Sequence, residues 1–187
     1  MKHRHLLTVF VMIISSHLWA TDVSMQISGS GAVNDSTIKV GEKVTFDIYF
    51  ENDTEFKGFS LGFKIKSDDI EKVAHVKDIG KGLNKEGDIK GYNGWENSSV
   101  WDLGGIYVIR CDWDGNLPDL LGFGGVCKSK IYIPHEKSKK LSFDLMFDEE
   151  GAVTVDSSFF PPTGKWLFSA PNTPPKWHGP YTYKVVK

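Results

Sequence analysis

The stretch VTFDIYF, residues 44–50, constrains the fold of this chain more than any other part of the sequence. Apolar residues at positions 44, 46, 48 and 50 alternate with more polar residues at 45, 47 and 49. Successive side chains of a β-strand point to opposite faces, so this period of two predicts a strand with one buried face. The β-branched and aromatic residues in it favour a strand as well.

Similar short segments recur along the chain. They are VSMQIS (23–28), FKGFSLGFKIKS (56–67), IEKVAHVKDI (70–79), IYVIRCDW (106–113), KSKIYIP (128–134), KKLSFDLMFD (139–148), GAVTVDS (151–157) and YTYKVV (181–186). The sequence holds no apolar period of 3.6 across a full helix, although DLLGF (119–123) is compatible with one helical turn. Many short strands, long loops and little helix predict an all-β chain folded as an antiparallel sandwich or a barrel.

Two long segments break the alternation. Residues 79–99 are rich in Gly, Asn and Lys and are predicted to form a loop, and a loop of this length is usually functional or mobile. Residues 159–180 contain six prolines, which cannot donate to a central ladder. We expect an ordered coil there, held by Trp166, Phe168 and Trp177.

The first 20 residues have the pattern of a secretory signal peptide. Lys2 and Arg4 are followed by the uncharged apolar run 6–14, and a small residue, Ala20, ends the segment. The run is too short to cross a bilayer, which takes about 20 apolar residues. The sequence therefore predicts a cleaved signal at 1–20 and a single domain at 21–187, secreted or periplasmic and not inserted in the membrane.

Cleavage would remove two cations and no carboxylate, so the net charge would fall from −2 to −4. A negative net charge does not favour binding to nucleic acid or to an anionic membrane surface. The partners that this charge leaves open are proteins and polysaccharides at the cell surface.

Two cysteines, Cys111 and Cys127, are the only ones in the sequence. In an exported chain, such a pair predicts one disulfide. It would close a loop of about 16 residues and contribute roughly 3 kcal/mol. Two buried free thiols are the alternative.

Inside that bracket lies CDWDGNLPD, residues 111–119, whose oxygen-bearing side chains suggest a calcium loop. The candidate ligands are Asp112, Asp114, Asn116 and Asp119. Calcium takes six to eight oxygen ligands, and alternate acidic residues can supply them. However, an EF-hand loop needs Gly at its sixth position and Glu at its twelfth, where this chain has Leu117 and Phe123. Asp-Gly-Asn-x-Pro is also typical of a turn that ends a strand, which we favour over calcium.

Aromatic residues are numerous, and three of them are candidates for ligand binding: Tyr92, Trp95 and Trp101. Tyr92 and Trp95 lie in the polar loop, where an exposed ring could stack against the apolar face of a sugar. For any single Trp, burial in the core is the more common outcome.

Motifs for catalysis are absent from the sequence: it has no H-E-x-x-H, G-x-S-x-G, P-loop or C-x-x-C. We therefore predict a protein that is not an enzyme and has no cofactor, except for the possible calcium. A sandwich hydrolase with paired carboxylates is a minor alternative, since the sequence has 24 acidic residues and fold alone does not exclude an active site.

Part of the chain resembles a known family. The triplet VGE (40–42), the alternating strand, an acidic-asparagine turn and FKGF (56–59) are similar to the opening of cohesin domains, over Ile38 to Val73, about a fifth of the chain. Residues 140–168 look like the closing part of uncharacterised exported bacterial sandwich proteins related to cohesins. The resemblance implies a jelly-roll-like β-sandwich with a noncovalent binding role. Cohesins bind dockerins, and cellulose-binding modules share the architecture.

The sequence thus favours an exported, non-catalytic binding module for a protein partner in extracellular or surface assembly. A carbohydrate-binding module is the first alternative. The second is a structural surface component whose chemistry is limited to the disulfide and calcium.

Overall fold

The computed structural model describes residues 21–52, 56–75, 90–91, 107–111, 115–126, 135–159, 166–169 and 172–187. These residues form strands, bridges and turns, and no helix occurs among them. In the same residues, no helix is long and apolar enough to span a membrane.

The strands assemble into two sheets. Sheet A contains β1 (Asp22–Ser28), β4 (Val44–Asn52), β6 (Ala74–His75), β7 (Lys90–Gly91), β10 (His135–Met146) and β13 (Lys176–Trp177). Sheet B contains β2 (Ala32–Asn34), β3 (Thr37–Lys39), β5 (Gly58–Ser67), β8 (Tyr107–Cys111), β9 (Asp119–Val126), β11 (Gly151–Ser157), β12 (Leu167–Ser169) and β14 (Tyr181–Val186).

The order along sheet A is β13-β1-β4-β10-β6, with β7 also paired to β10. The order along sheet B is β2-β3-β14-β11-β5-β9-β8, with β12 also paired to β5. Most pairs are antiparallel, while β1–β13 and β3–β14 are parallel. Non-consecutive strands are therefore neighbours, as in a jelly-roll-like sandwich, and the predicted fold class is confirmed.

The core lies between the sheets and is built by the alternation seen in the sequence. In β4, residues 44, 46, 48 and 50 are all fully buried. Phe46 stacks on Phe143 of β10 with ring centroids 5.2 Å apart and meets Tyr183 of β14 edge-on at 5.5 Å. Aromatic side chains from both sheets thus interdigitate, which is the usual packing of a sandwich core.

Four segments differ from the sequence predictions. The predicted loop 79–99 contains a short strand, β7, which pairs with β10. DLLGF is not a helical turn but the start of β9, where it pairs with β5 over its full length. Within 70–75, only Ala74 and His75 form a strand. Residues 71–73, which precede them, are instead bound to the turn at 115–117. The proline-rich segment is not coil throughout, since it contributes the short strands β12 and β13.

A β-bulge in β10 produces a feature that alternation does not predict. Lys139 is opposite Tyr49 and Leu141 is opposite Ile48, so Lys140 is the extra residue between them. Its side chain is fully buried. Burial lowers the pKa of Lys140 from 10.5 to about 8, because the charged form is poorly solvated there.

Candidate functional site

The outer face of sheet A is charged, but its central carboxylates are paired within the sheet. Asp47 contacts Lys139 at 3.3 Å and accepts a hydrogen bond from Ser28 Oγ at 2.6 Å. Asp144 contacts Lys43 at 3.3 Å and accepts a hydrogen bond from Thr45 at 2.6 Å. In the centre of this face, the charges of these carboxylates are therefore opposed by neighbouring lysines.

At the edge of the same face, Asp22 is surrounded by cationic or polar nitrogens. His178 Nε2 lies 3.2 Å and Lys176 Nζ lies 3.7 Å from Asp22 Oδ1. Both come from the chain around β13, which runs parallel to β1 at this point.

The outer face of sheet B carries lysines that are not paired. We call Lys64, Lys66 and Lys184 the lysine face. Alternation points them outward from β5 and β14. In register, Lys64 lies opposite Asp156 and Leu120, Lys66 opposite Thr154, and Lys184 opposite Ala152 and Thr37. Lys66 and Lys184 are exposed and Lys64 is half-buried. Within the described ranges, none of the three makes an ion pair, although Asp156 lies opposite Lys64 and two carboxylates, Asp69 and Glu150, line the same cavity as Lys184.

Small polar side chains lie between the lysines of this face. The hydroxyls of Thr154 and Thr182 lie 3.0 Å apart and form one hydrogen bond between β11 and β14. Beside them is a cavity of about 750 Å³, whose lining includes Ala152, Thr182, Lys184, Asp69 and Glu150. The face therefore combines projecting lysines with a concave region that also carries carboxylates.

An exposed aromatic residue follows β11. The side chain of Phe159 is 64% exposed, the largest exposure of a bulky apolar residue in the described residues. The N–H of the preceding Ser158 donates to Gly62 O of β5 at 2.8 Å, which fixes this part of the chain beside sheet B. Aromatic side chains, Phe among them, are enriched in protein interfaces relative to the rest of the surface.

The two described tryptophans, Trp166 and Trp177, close one side of the sandwich. Trp166 packs against Phe63 and Trp177, each with ring centroids 5.0 Å apart, and its indole N–H donates to Gly62 O at 2.5 Å. Trp177 also contacts Tyr181 at 5.1 Å. These rings touch one another and the core, so they do not form an open platform for a sugar.

Several predicted site residues lie outside the described part of the chain. They are Tyr92, Trp95, Trp101, Asp112, Asp114 and Cys127. The backbone of Cys111 ends β8, but its side chain lies outside the description as well. The predicted aromatic ligand site and the predicted disulfide therefore stay predictions.

Of the four predicted calcium ligands, Asn116 and Asp119 are described. Asn116 is exposed, whereas Asp119 is fully buried at the start of β9. The segment between them contains a cis peptide bond at Leu117–Pro118, and Gly115 has a φ of +85°. Glu71 O accepts the Leu117 N–H at 2.8 Å, so this segment is a turn tied to a neighbouring loop.

No cluster of three or more His, Cys, Asp or Glu that could hold a metal occurs among the described residues. Because Asp112 and Asp114 are not among them, the calcium hypothesis stays a prediction.

Sequence comparison finds no match: no protein-family model matches the chain, and no curated protein does. Structural comparison gives a consistent result. The chain superposes on the second type II cohesin module of the ScaA adaptor scaffoldin from Acetivibrio cellulolyticus with a TM-score of 0.58 and 14% identity, covering 87% of this chain and 89% of that one. The chain has the cohesin fold.

Two other solved structures agree with this cohesin-like sandwich. A cohesin module from a family 33 glycoside hydrolase of Clostridium perfringens matches with a TM-score of 0.54 and 9% identity, over 89% of this chain and 97% of that one. The cohesin–dockerin complex Coh-OlpA–Doc918 from Clostridium thermocellum matches with a TM-score of 0.53 and 10% identity, over 88% and 97%. At such identities, the similarity concerns the fold.

The lysine face was not predicted from the sequence, although the sequence contains part of the pattern that indicates it. Lys64 and Lys66 alternate with Phe63 and Ile65, which places both lysines on the face opposite the core. Nothing in the sequence shows that Lys184, more than a hundred residues away, joins the same face.

Proposed function

We propose that this cohesin-like sandwich is an exported, non-catalytic protein-binding module whose partner docks on the lysine face. The observation that carries the proposal is the contrast between the two outer surfaces. The central carboxylates of sheet A are paired with its lysines, whereas Lys64, Lys66 and Lys184 have no ion-pair partner in the described residues.

The comparisons support a protein partner. One structural neighbour was solved as a cohesin–dockerin complex, in which a sandwich of this fold binds another protein. For the present chain, the unpaired lysines favour a partner with an acidic surface, since complementary charge accelerates association and fixes orientation. Phe159, exposed after β11, would supply an apolar contact to the partner.

The test uses two double variants with the same change of charge. Lys64→Glu/Lys66→Glu alters the lysine face, and Lys57→Glu/Lys72→Glu alters exposed lysines elsewhere. Each protein is chemically cross-linked in the extracellular fraction of its source organism, and the cross-linked proteins are identified by mass spectrometry.

We expect one partner protein with the wild type and the control pair, and loss of that partner with the Lys64/Lys66 pair. Capture should weaken as salt rises, because exposed charges are screened. Equal loss of the partner protein with both double variants would exclude the lysine face as the docking surface. Failure of the wild type to capture any protein would contradict the proposed function itself.

A further inference from the structure

Three Asn-x-Ser/Thr triplets occur in the sequence, at residues 34–36, 52–54 and 97–99. This triplet is the acceptor motif for N-linked glycosylation of exported proteins, and it is normally modified on a surface loop. Asn97 lies outside the described residues, whereas Asn34 and Asn52 are both described. The structure therefore allows these two candidate acceptors to be compared.

Asn52 is the last residue of β4, and its side chain is buried. Only 2% of the residue is exposed, and its main chain pairs with His135 of β10. Glycosylation requires that an enzyme reach the side-chain amide nitrogen and that a bulky sugar fit there afterwards. The folded sandwich meets neither condition at Asn52, so this residue is not an acceptor in the folded chain.

Asn34 occupies a different position, at the turn between β2 and β3. Residues 33–36 are all exposed. Among the described strands, β2 pairs with β3 alone, so this turn projects from the edge of sheet B. An enzyme can therefore reach Asn34 without displacing a strand of the folded chain.

Ser36 fixes the orientation of the Asn34 amide. Oδ1 of Asn34 accepts hydrogen bonds from the Ser36 N–H at 3.0 Å and from the Ser36 hydroxyl at 3.3 Å. A main-chain N–H can only donate, so the oxygen of the amide, and not its nitrogen, faces Ser36. Nδ2 is therefore turned away from Ser36, and it makes no hydrogen bond within the described ranges. The serine of the triplet thus leaves the nitrogen that accepts a sugar available.

The neighbouring residue gives a separate reason for a sugar at this place. Val33 of β2 is 57% exposed, although it is apolar and lies on an edge strand. Exposed edge strands can pair with other chains, and natural proteins usually cover or charge them. A glycan is bulky and solubilising, so a glycan on Asn34 would shield both Val33 and the open side of β2.

From these contacts, we propose that the exported chain is N-glycosylated at Asn34 and not at Asn52. The sugar donor is a glycan activated at C1 as a polyprenyl diphosphate ester. Nδ2 of Asn34 forms a bond to C1 while the bond between C1 and the diphosphate oxygen breaks. Nδ2 loses one proton, and polyprenyl diphosphate is the leaving group. The inference rests on the export included in the proposed function, but not on the docking of a partner at the lysine face.

Peptide mass spectrometry of the chain isolated from the extracellular fraction of its source organism tests this proposal. We expect the peptide that contains Asn34 to carry the mass of a glycan and to release sugar ions on fragmentation, and the peptide that contains Asn52 to have its unmodified mass. Ser36→Ala should lose the glycan, because it breaks the triplet, and Ser36→Thr should retain it. Ser30→Ala is the matched control: it removes another exposed serine of the same region and should leave the glycan in place.

The outcomes separate this inference from the proposed function. An exported chain with an unmodified Asn34 overturns the glycosylation alone, since partner capture is measured by cross-linking. A glycan on Asn52, or one on Asn34 that persists in Ser36→Ala, overturns it as well. Circular dichroism checks that the variants are folded. A chain that is absent from the extracellular fraction would contradict the export, and with it both proposals.

Discussion

The indole N–H of Trp177 donates to Oδ1 of Asp156 over 3.0 Å and so joins β13 of sheet A to β11 of sheet B. The same ring packs against Phe63, Trp166 and Tyr181. Trp177 therefore closes this side of the sandwich with a hydrogen bond and aromatic contacts together.

We predict that Trp177→Phe lowers the free energy of unfolding by about 2 kcal/mol, because it removes the hydrogen bond and part of the buried ring area. Denaturant unfolding measures the change. The control is Asp156→Asn, whose amide oxygen can still accept, and we expect it to change the stability by less than about 0.5 kcal/mol. A larger loss in the control would mean that the carboxylate charge matters more than the hydrogen bond.

Because of Lys140, the free energy of unfolding should increase as the pH rises. Burial lowers its pKa from 10.5 to about 8, so between these values the unfolded chain holds a proton that the folded chain has released. Since the unfolded state binds more protons, stability increases with pH in this window. Thermal unfolding between pH 7 and 9.5 should show a rise in melting temperature.

Lys140→Met should remove that rise, because the group that titrates in this window is gone. A melting temperature that still rises between pH 7 and 9.5 in this variant would show that another group causes the rise. Exposed Lys66→Met is the matched control and should leave the pH profile as it is.

Tyr183 has a buried hydroxyl that makes no hydrogen bond in the described part of the chain. Burial and the neighbouring Tyr181 raise the pKa of this group. We predict that Tyr183→Phe leaves stability unchanged or raises it by up to about 1 kcal/mol, because it removes a polar group without changing the shape of the core. Urea unfolding is compared with Tyr181→Phe, whose ring is half-buried. A loss above about 1 kcal/mol would point to a buried water bound to Tyr183.

The segment 112–119 can be tested for calcium with the melting temperature. Since we favour a turn over a calcium loop, we expect the same melting temperature in calcium and in chelator. A ligand that binds the folded state raises that temperature. A calcium-dependent rise that Asp112→Asn/Asp114→Asn abolishes would overturn our interpretation and establish the ion.

The carbohydrate alternative predicts a ligand site on the loop that contains Tyr92 and Trp95. If the partner is a protein, a glycan array should show no specific binding by the wild type. Binding that is lost in Trp95→Ala but retained in Trp177→Phe would instead favour the carbohydrate alternative, since stacking on one exposed ring would then carry the affinity.

Much of the fold could be predicted because alternation is a local property. The pattern around Phe46 shows which side chains of β4 are buried without knowledge of any neighbour. The same reasoning failed at DLLGF, where a short apolar run fits a strand or a helical turn and pairing with β5 decides between them. Short strands in the proline-rich segment were missed because their partners are distant in sequence.

The sequence alone determined the period of two, and with it an all-β chain with one buried face per strand, because the backbone geometry of a strand makes successive side chains alternate. Only the tertiary structure decided which strands are neighbours. It therefore decided that a bulge buries Lys140, that Asp47 finds Lys139, and that Lys184 joins Lys64 and Lys66. Burial and charge pairing arise between strands far apart in the chain, and a local pattern contains no information on that proximity.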